Sequence, residues 1–398
     1  MVTSNRKNVC TAAVFSVIIL AALLYSAGVL YAAGHDTIRA RVVFFGDIMA
    51  HDQQLEAARD GSSWNFKPQF FRVKPLLWNA LSVGNLETVF AGTGRRFAGY
   101  PSFNTPDDLA DALVDFELDV VMLANNHILD HGLDAALRTT KVLDEKGLAW
   151  TGLSRQDNPY EPLIIEYGGL KWAFVNYSYG TNAARQITKP EHPQLNIISE
   201  EAIINGLRLA SAQEPDVTVA YFHWGAEYQY APSRSQRRAA ELCLQNGADL
   251  VIGAHPHVLQ PIEITNSDKG HALVAYSLGN FVSYQRTIPR ERSVVLAADV
   301  EKKPGGRAEL SRVSVAPIWV SARRVGGHRR IEVVYSGTGG PFNHEGLPAR
   351  ELAAARNTGA IVLDFLGASA EPDEEGFYTI WDAASPHDLP VSRRPKPE

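Results

Sequence analysis

Short apolar runs recur along the chain, and nearly all of them stop at a glycine, an alanine or a polar residue. The runs at 41–45, 81–83, 119–123, 217–222, 249–253 and 271–276 are the length of buried strands. Between them the apolar spacing lengthens to three and four, which predicts helices over 105–117, 133–145, 199–213 and 235–246. The first of these opens on Thr105-Pro106-Asp107-Asp108, with Thr105 the expected cap and the two aspartates at the positive helix end. Gly147 is placed to stop the second. Leu163-Ile164-Ile165 and Trp172-Ala173-Phe174-Val175 flank Gly168-Gly169 and predict a hairpin. Further strands are expected near 292–300, 311–320, 330–336 and 360–365. Strands that precede helices, together with hairpins, predict a layered α/β body with mixed rather than purely parallel sheets.

The chemistry sits where these runs end. Val251-Ile252-Gly253-Ala254 delivers His255 and His257, two apart, with Pro256 between them. Proline biases its predecessor toward an extended conformation, so both imidazoles are expected on one side, addressing one point. The run at 41–45 ends in Gly46 and Asp47, with His51 following, a residue that reaches the same point or starts a helix. The run at 81–83 ends in Asn85 and Glu87, and the run at 119–123 in Asn126 and His127, with Asp130 placed to orient an imidazole. The run at 217–222 ends in His223. Nitrogen and oxygen donors converging from separate strand ends predict a metal site, following the rule for ligands in α/β sheets. Zinc, manganese and iron all accept such donors, and two ions together would activate water and clamp an anionic transition state. With two cysteines, Cys10 at the edge of the apolar run 11–34 and Cys243 in a predicted helix, a thiolate zinc site is excluded and no intrachain disulfide is expected. Residues 91–104 form a glycine-rich loop beside the site, in which Arg95 and Arg96 either face solvent or hold an anionic substrate. Arg323, Arg324, Arg329 and Arg330 form a second basic cluster with no ligand set beside it, and Asn280 reads as a structural brace.

Composition narrows the setting. The net charge of −6 offers no basic excess, which argues against nucleic acid as a partner. Residues 11–34 carry no charge and, at 1.5 Å per residue, are long enough for a hydrocarbon core of roughly 30 Å. Arg6 and Lys7 precede them, so the positive-inside rule puts the first residues in the cytoplasm and the body outside. A retained single-pass membrane helix is the expected reading; a cleaved signal is the alternative, disfavoured by the long apolar run and by Tyr31 at the exit.

Six runs taken in order, GDIM (46–49), GNLE (84–87), ANNHILDHG (124–132), HWGAEY (223–228), GAHPHVLQ (253–260) and SLGNF (277–281), closely resemble the capsule-biosynthesis CapA family. Those proteins are linked to poly-γ-glutamate capsules. The resemblance covers about residues 40–285 and implies a calcineurin-like, four-layer αββα metallophosphoesterase sandwich. It implies that Asp47, Asn85 or Glu87, Asn126, His223, His255 and His257 hold one or two divalent ions. It gives His127, braced by Asp130, the role of acting on a leaving group, and leaves Arg95 and Arg96 to meet substrate carboxylates. Two positions depart from the metallophosphoesterase pattern: Met49 stands where a histidine is usual, and Asn85 where a bridging aspartate is usual. The expected organisation is a stub and anchor to 35, the main domain over 36–340, a packed extension over 341–384 and a tail over 385–398. The expected function is an anchored, extracytoplasmic, metal-dependent protein acting on an anionic capsule polymer by hydrolysis or transfer, beside membrane synthase subunits. The alternatives are a polymer-binding or assembly subunit with a degenerate site, and a phosphomonoesterase or nucleotidase.

Overall fold

The computed structural model describes residues 36–154, 160–183 and 195–385. The apolar run at 11–34 and the tail from 386 lie outside the described residues. Among those described, no helix is long and apolar enough to cross a membrane.

From the start, the chain forms β1 (Ile38–Ile48), α1 (Asp52–Ala58), a small hairpin of β2 (Arg59–Asp60) and β3 (Ser63–Trp64), and two 3-10 segments. There follow β4 (Ala80–Leu86), α2 (Asp108–Asp115), β5 (Val120–Met122), α3 (Leu133–Lys146) and β6 (Ala149–Thr151). The middle of the chain contributes β7 (Leu163–Tyr167), β8 (Leu170–Ser178), α4 (Glu200–Ser211), β9 (Val217–His223), α5 (Arg234–Gln245) and β10 (Leu250–Ala254). After these come β11 (Ile262–Ser267), β12 (Gly270–Ala275), β13 (Asn280–Val282), β14 (Arg292–Lys302), β15 (Ala308–Val325) and β16 (His328–Tyr335). The described chain closes with α6 (Ala349–Leu366) and β17 (Tyr378–Asp382).

Two mixed sheets face one another. The nine-stranded sheet runs β16-β15-β14-β1-β4-β5-β6, with β13 added to β1 and β17 to β15; the six-stranded sheet runs β11-β12-β10-β9-β8-β7. Strand alternation shows how they pack. On β8, Trp172 and Phe174 enter the core between the sheets, while Ala173, Val175 and Tyr177 turn outward onto Ile203 and Leu207 of α4 and Ala240 and Cys243 of α5. On the far side, Phe45 packs with Phe116 and Phe281 beneath α2, and α6 lies on β14 and β15. The result is helices, sheet, sheet, helices, with mixed strand directions as the sequence predicts. β1, β4 and β5 are parallel to one another, as are β8, β9, β10 and β12, so each sheet presents a set of carboxyl ends at the same rim. Two hydrogen bonds fasten the sheets under that rim: the Tyr221 hydroxyl donates to the Phe45 carbonyl at 2.7 Å, and the Ala124 N–H to Asn176 Oδ1 at 2.7 Å.

Two local expectations are corrected. Residues 360–365 are not a strand but the last turns of α6. Their isoleucine and valine read as β-prone, yet the buried positions Ala355, Thr358, Val362 and Leu366 repeat at helical spacing, and Gly367 ends the helix at φ 65°. Thr105 does not cap α2. Its hydroxyl bonds that of Thr88 at 2.7 Å, the helix begins at Asp108, and Asp107 forms a bidentate pair with Arg138. The arginines around 323–330 have carboxylate partners. Arg324 and Arg329 both hold Glu56, and buried Arg323 pairs with Glu332, which also takes Arg72.

Candidate metal centre

Each strand of the rim places its side chain by backbone means. Gly46 lies so close to the Gly279 carbonyl that a Cβ would stand 1.7 Å from that oxygen, so only glycine lets β1 pass β13 and aim Asp47 inward. Asp47 is in register with Asn85 of β4 and Asn280 of β13. On the facing sheet, a Cβ on Gly253 would sit 2.0 Å from the Tyr276 carbonyl oxygen, so β10 likewise needs glycine before its two histidines. Those histidines are not in an extended segment as Pro256 would suggest. His255 has φ 92° and His257 φ 57°, so both residues hold the left-handed region that non-glycine residues rarely adopt. The segment is a strained turn, and such strain persists where the surroundings impose it.

The side chains form one connected cluster. Asp47 Oδ1 accepts from Asn85 Nδ2 at 2.7 Å, while Asp47 Oδ2 accepts from His257 Nδ1 at 3.0 Å and from the His255 N–H at 3.3 Å. His257 Nδ1 also lies 2.9 Å from Asn280 Oδ1, so two acceptors put the proton on Nδ1 and leave Nε2 with a free lone pair. His223 lies between two amides, its Nε2 2.8 Å from Asn126 Oδ1 and its Nδ1 3.2 Å from Asn85 Nδ2. His127 Nδ1 lies 2.7 Å from Asp130 Oδ2, which also accepts the Phe103 N–H at 2.8 Å; Asp130 therefore holds the ring from outside the cluster. Asn125 braces the turn by donating to the Leu86 carbonyl and accepting the His127 N–H.

Glu87 sits at the middle. Its Oε1 lies 3.5 Å from His223 Nε2, 3.9 Å from His257 Nε2 and 3.9 Å from His127 Nε2. The residue is 0% exposed, and neither of its carboxylate oxygens has a hydrogen-bond donor. Burial, then the neighbouring Asp47 carboxylate, pushes its pKa well above the ordinary value. The imidazoles move the other way: burial and neighbouring histidines hold His223 well below its usual range and bring His255 down to about 4. His255 Nδ1 is buried without a partner as well. An ionised carboxylate buried without a partner costs several kcal/mol, and two orphaned oxygens facing imidazole nitrogens are satisfied by a cation. Ligand atoms of Asp47, Glu87 and His257 lie within 4.8 Å of one another, as do those of Glu87, His223 and His255, and of Glu227, His255 and His257. Glu87 is common to the first two groups, so the donors present fit one or two divalent ions with Glu87 between them.

The expected residues thus divide. Asp47, Asn85, Glu87, Asn126, His127, His223, His255 and His257 come together, with Asp130 behind His127. Asn85 turns its Nδ2 toward both Asp47 and His223, which makes it a brace rather than a donor of oxygen to an ion. Arg95 and Arg96 are exposed on the loop, and their carbonyls accept from Asn104 Nδ2. His51 starts α1; its Nδ1 lies 3.3 Å from the Tyr284 N–H, and it supplies no ligand atom in place of buried Met49. One residue escaped the sequence reading: Glu227 lies in the quoted HWGAEY run, where position alone gave no reason to choose it. Asn280, expected as a brace, reaches His257 because the three-residue β13 inserts beside β1. Around the mouth stand Tyr100, Tyr179 and Tyr228, with ring centroids 6.5 Å from His127, 4.5 Å from His255 and 6.1 Å from His257 respectively.

The family model "Bacterial capsule synthesis protein PGA_cap" matches residues 41–285, a span that holds every donor named above. PGA biosynthesis protein CapA of Bacillus subtilis is 29% identical over 221 residues, 53% of this chain and 54% of that one. Capsule biosynthesis protein CapA of Bacillus anthracis is 30% identical over 169 residues, 41% of this chain and 39% of that one. The chain therefore spans about half or less of the length of these curated relatives. Among solved structures, the calcineurin-like phosphoesterase YfkN from Bacillus subtilis is 14% identical and covers 83% of this chain and 99% of that chain, at a TM-score of 0.44.

Proposed function

The chain belongs to the bacterial capsule synthesis family PGA_cap, and from that membership we propose that it is a metal-dependent protein acting on an anionic capsule polymer of the poly-γ-glutamate type. The observation that supports a metal-dependent reading most strongly is Glu87, buried without a donor among three imidazoles. Asp47, Glu87, Asn126, His223, His255 and His257 would hold the ion or ions, of manganese, zinc or iron. A divalent ion held there supplies Lewis acidity to a substrate oxygen and lowers the pKa of water.

The remaining work falls to the chain's own side chains. Asp130 fixes the His127 ring through Nδ1, so Nε2 faces the cluster, where a proton would pass to a leaving group. Asp47 and Asn280 keep the His257 ring in one orientation and one tautomer. Tyr100, Tyr179 and Tyr228 flank the entry. The reaction is hydrolysis of, or transfer to, an amide-linked acidic chain. The membrane anchor read from residues 11–34 would keep this body outside the cell, next to the subunits of a membrane synthase. β1 starts at Ile38 and reaches the centre only at Asp47, so the anchor would join the body at the strand end remote from the centre.

A second reading, that of a polymer-binding or assembly subunit, draws on Asn85 and Met49, which take away the bridging carboxylate and an imidazole of the fuller metallophosphoesterase set. The test is to load the full chain, in detergent, with manganese or zinc and incubate it with γ-linked glutamate polymer and, separately, with phosphate mono- and diesters. Shortening or transfer of the polymer, lost with a chelator, is the expected result. Tight polymer binding without turnover favours the assembly subunit, and turnover of phosphate esters alone contradicts both.

A further inference from the structure

Beyond the family match, the turn that follows β13 carries Arg290 to the mouth of the centre. Asn280 ties it there: its Oδ1 meets His257 Nδ1 at 2.9 Å, while its Nδ2 donates to the Arg290 carbonyl at 3.0 Å and to Gln285 Oε1 at 3.2 Å. One amide therefore spans from an imidazole of the cluster to the backbone of this arginine. The guanidinium carbon lies 3.4 Å from the centroid of the Tyr228 ring. That ring is in turn 6.1 Å from the His257 ring, within ordinary aromatic contact. Tyr228 is itself pinned. Its φ is 64°, and its N–H donates to the carbonyl of Pro256, the residue between the two histidines, at 2.8 Å.

The stacking satisfies one face of the guanidinium and leaves its N–H edge uncommitted. Among the described residues Arg290 makes no ion pair, whereas Arg286 of the same turn is held by Glu291 at 3.0 Å. An arginine held over the face of a fixed ring is pre-organised for two parallel hydrogen bonds to a planar anion. Arg95 and Arg96 have no comparable platform; both are exposed on their loop.

We propose that Arg290, on its Tyr228 platform and tethered through Asn280, is the residue that recognises a substrate carboxylate at the entrance to the centre, a role that neither Arg95 nor Arg96 fills. The proposal rests on the acidic-polymer reading of the function. A carboxylate on a residue beside the scissile linkage would be held by the guanidinium while the linkage itself lies over Glu87 and His127. Arg290 is thus a binding and specificity residue.

The test uses the full chain in detergent, loaded with manganese. Binding of a fluorescent γ-linked glutamate oligomer is measured for the parent, Arg290→Ala, Arg290→Lys and the double variant Arg95→Ala/Arg96→Ala, with metal content determined for each. The expected result is a roughly 10- to 100-fold weaker affinity for Arg290→Ala at unchanged metal content, with partial recovery in Arg290→Lys and little change in the double variant. The salt dependence of binding should also flatten in Arg290→Ala, which a loss of packing alone would not produce. Parent-like binding by Arg290→Ala overturns the assignment. So does a defect confined to competition by inorganic phosphate, which would make the recognised group a phosphate. If the parent binds no oligomer at all, it is the acidic-polymer function that falls.

Discussion

Glu87 is the residue on which the account turns. A carboxylate without donors, packed among imidazoles, raises the energy of the metal-free fold and lowers it when a cation is present. Glu87→Met should therefore have opposite effects in the two states. In chelator, the variant should melt higher than the parent, by about 1–4 kcal/mol of stability, because a buried acid without hydrogen-bond donors is replaced by apolar volume. With manganese present the parent should gain stability and the variant should not. Melting curves with and without metal check this, and a variant that binds metal as the parent does would contradict the central position of Glu87. The sequence singled out Asn85 and Glu87 together but could not separate them, since both lie at one strand end. Only the partners decide: the Asn85 amide is consumed by Asp47 and His223, and Glu87 has none.

At the scale of elements, the centre depends on where strands are allowed to approach. Gly253→Ala places a methyl group 2.0 Å from the Tyr276 carbonyl oxygen and 2.4 Å from Trp224 Nε1, so β10 must shift away from its neighbours. The expected outcome is a loss of about 1–3 kcal/mol in stability, together with weakened metal binding because His255 and His257 ride on the end of that strand. Thermal melts and metal titration on the same variant read both. Helix α1 offers a separate pH test, at the edge of the cluster, where His257 and His127 add to the effect of burial on His51. Burial brings His51 at its start from the ordinary 6.5 down to about 4, and the neutral ring is needed for its Nδ1 to accept the Tyr284 N–H. A folded-state pKa below the unfolded one means that the unfolded chain takes up the proton first. Stability from this residue is then present above pH 6.5 and is lost as the pH falls toward 4. Comparison of parent and His51→Asn melts across that window should show a smaller acid loss in the variant, by on the order of 2–3 kcal/mol. Identical pH profiles would remove His51 from the account.

For the whole molecule, the alternation of apolar runs with helical stretches predicts a layered α/β body with mixed sheets, the family resemblance implies two sheets between helices, and the donors at the run ends mark the rim where both sheets contribute. What the sequence left dark lies in contacts between distant stretches. β13 is three residues long and carries no run of its own, yet it inserts parallel to β1 and brings Asn280, and through it Arg290, to His257. The left-handed turn of His255 and His257 is imposed by both sheets together and runs against the local preference set by Pro256. Likewise α6, with its isoleucine and valine, is helical because its buried face meets β14 and β15. A centre assembled from both sheets binds metal only when the whole fold is in place, which sets the most direct measurement. The full chain is isolated without added metal, dialysed against manganese and against zinc, and its metal content is determined beside His223→Ala and His255→Ala, one donor taken from each of two neighbouring strands. About one to two ions per chain in the parent, lost from both variants, is the predicted result. A folded parent that holds no ion after either dialysis would contradict it.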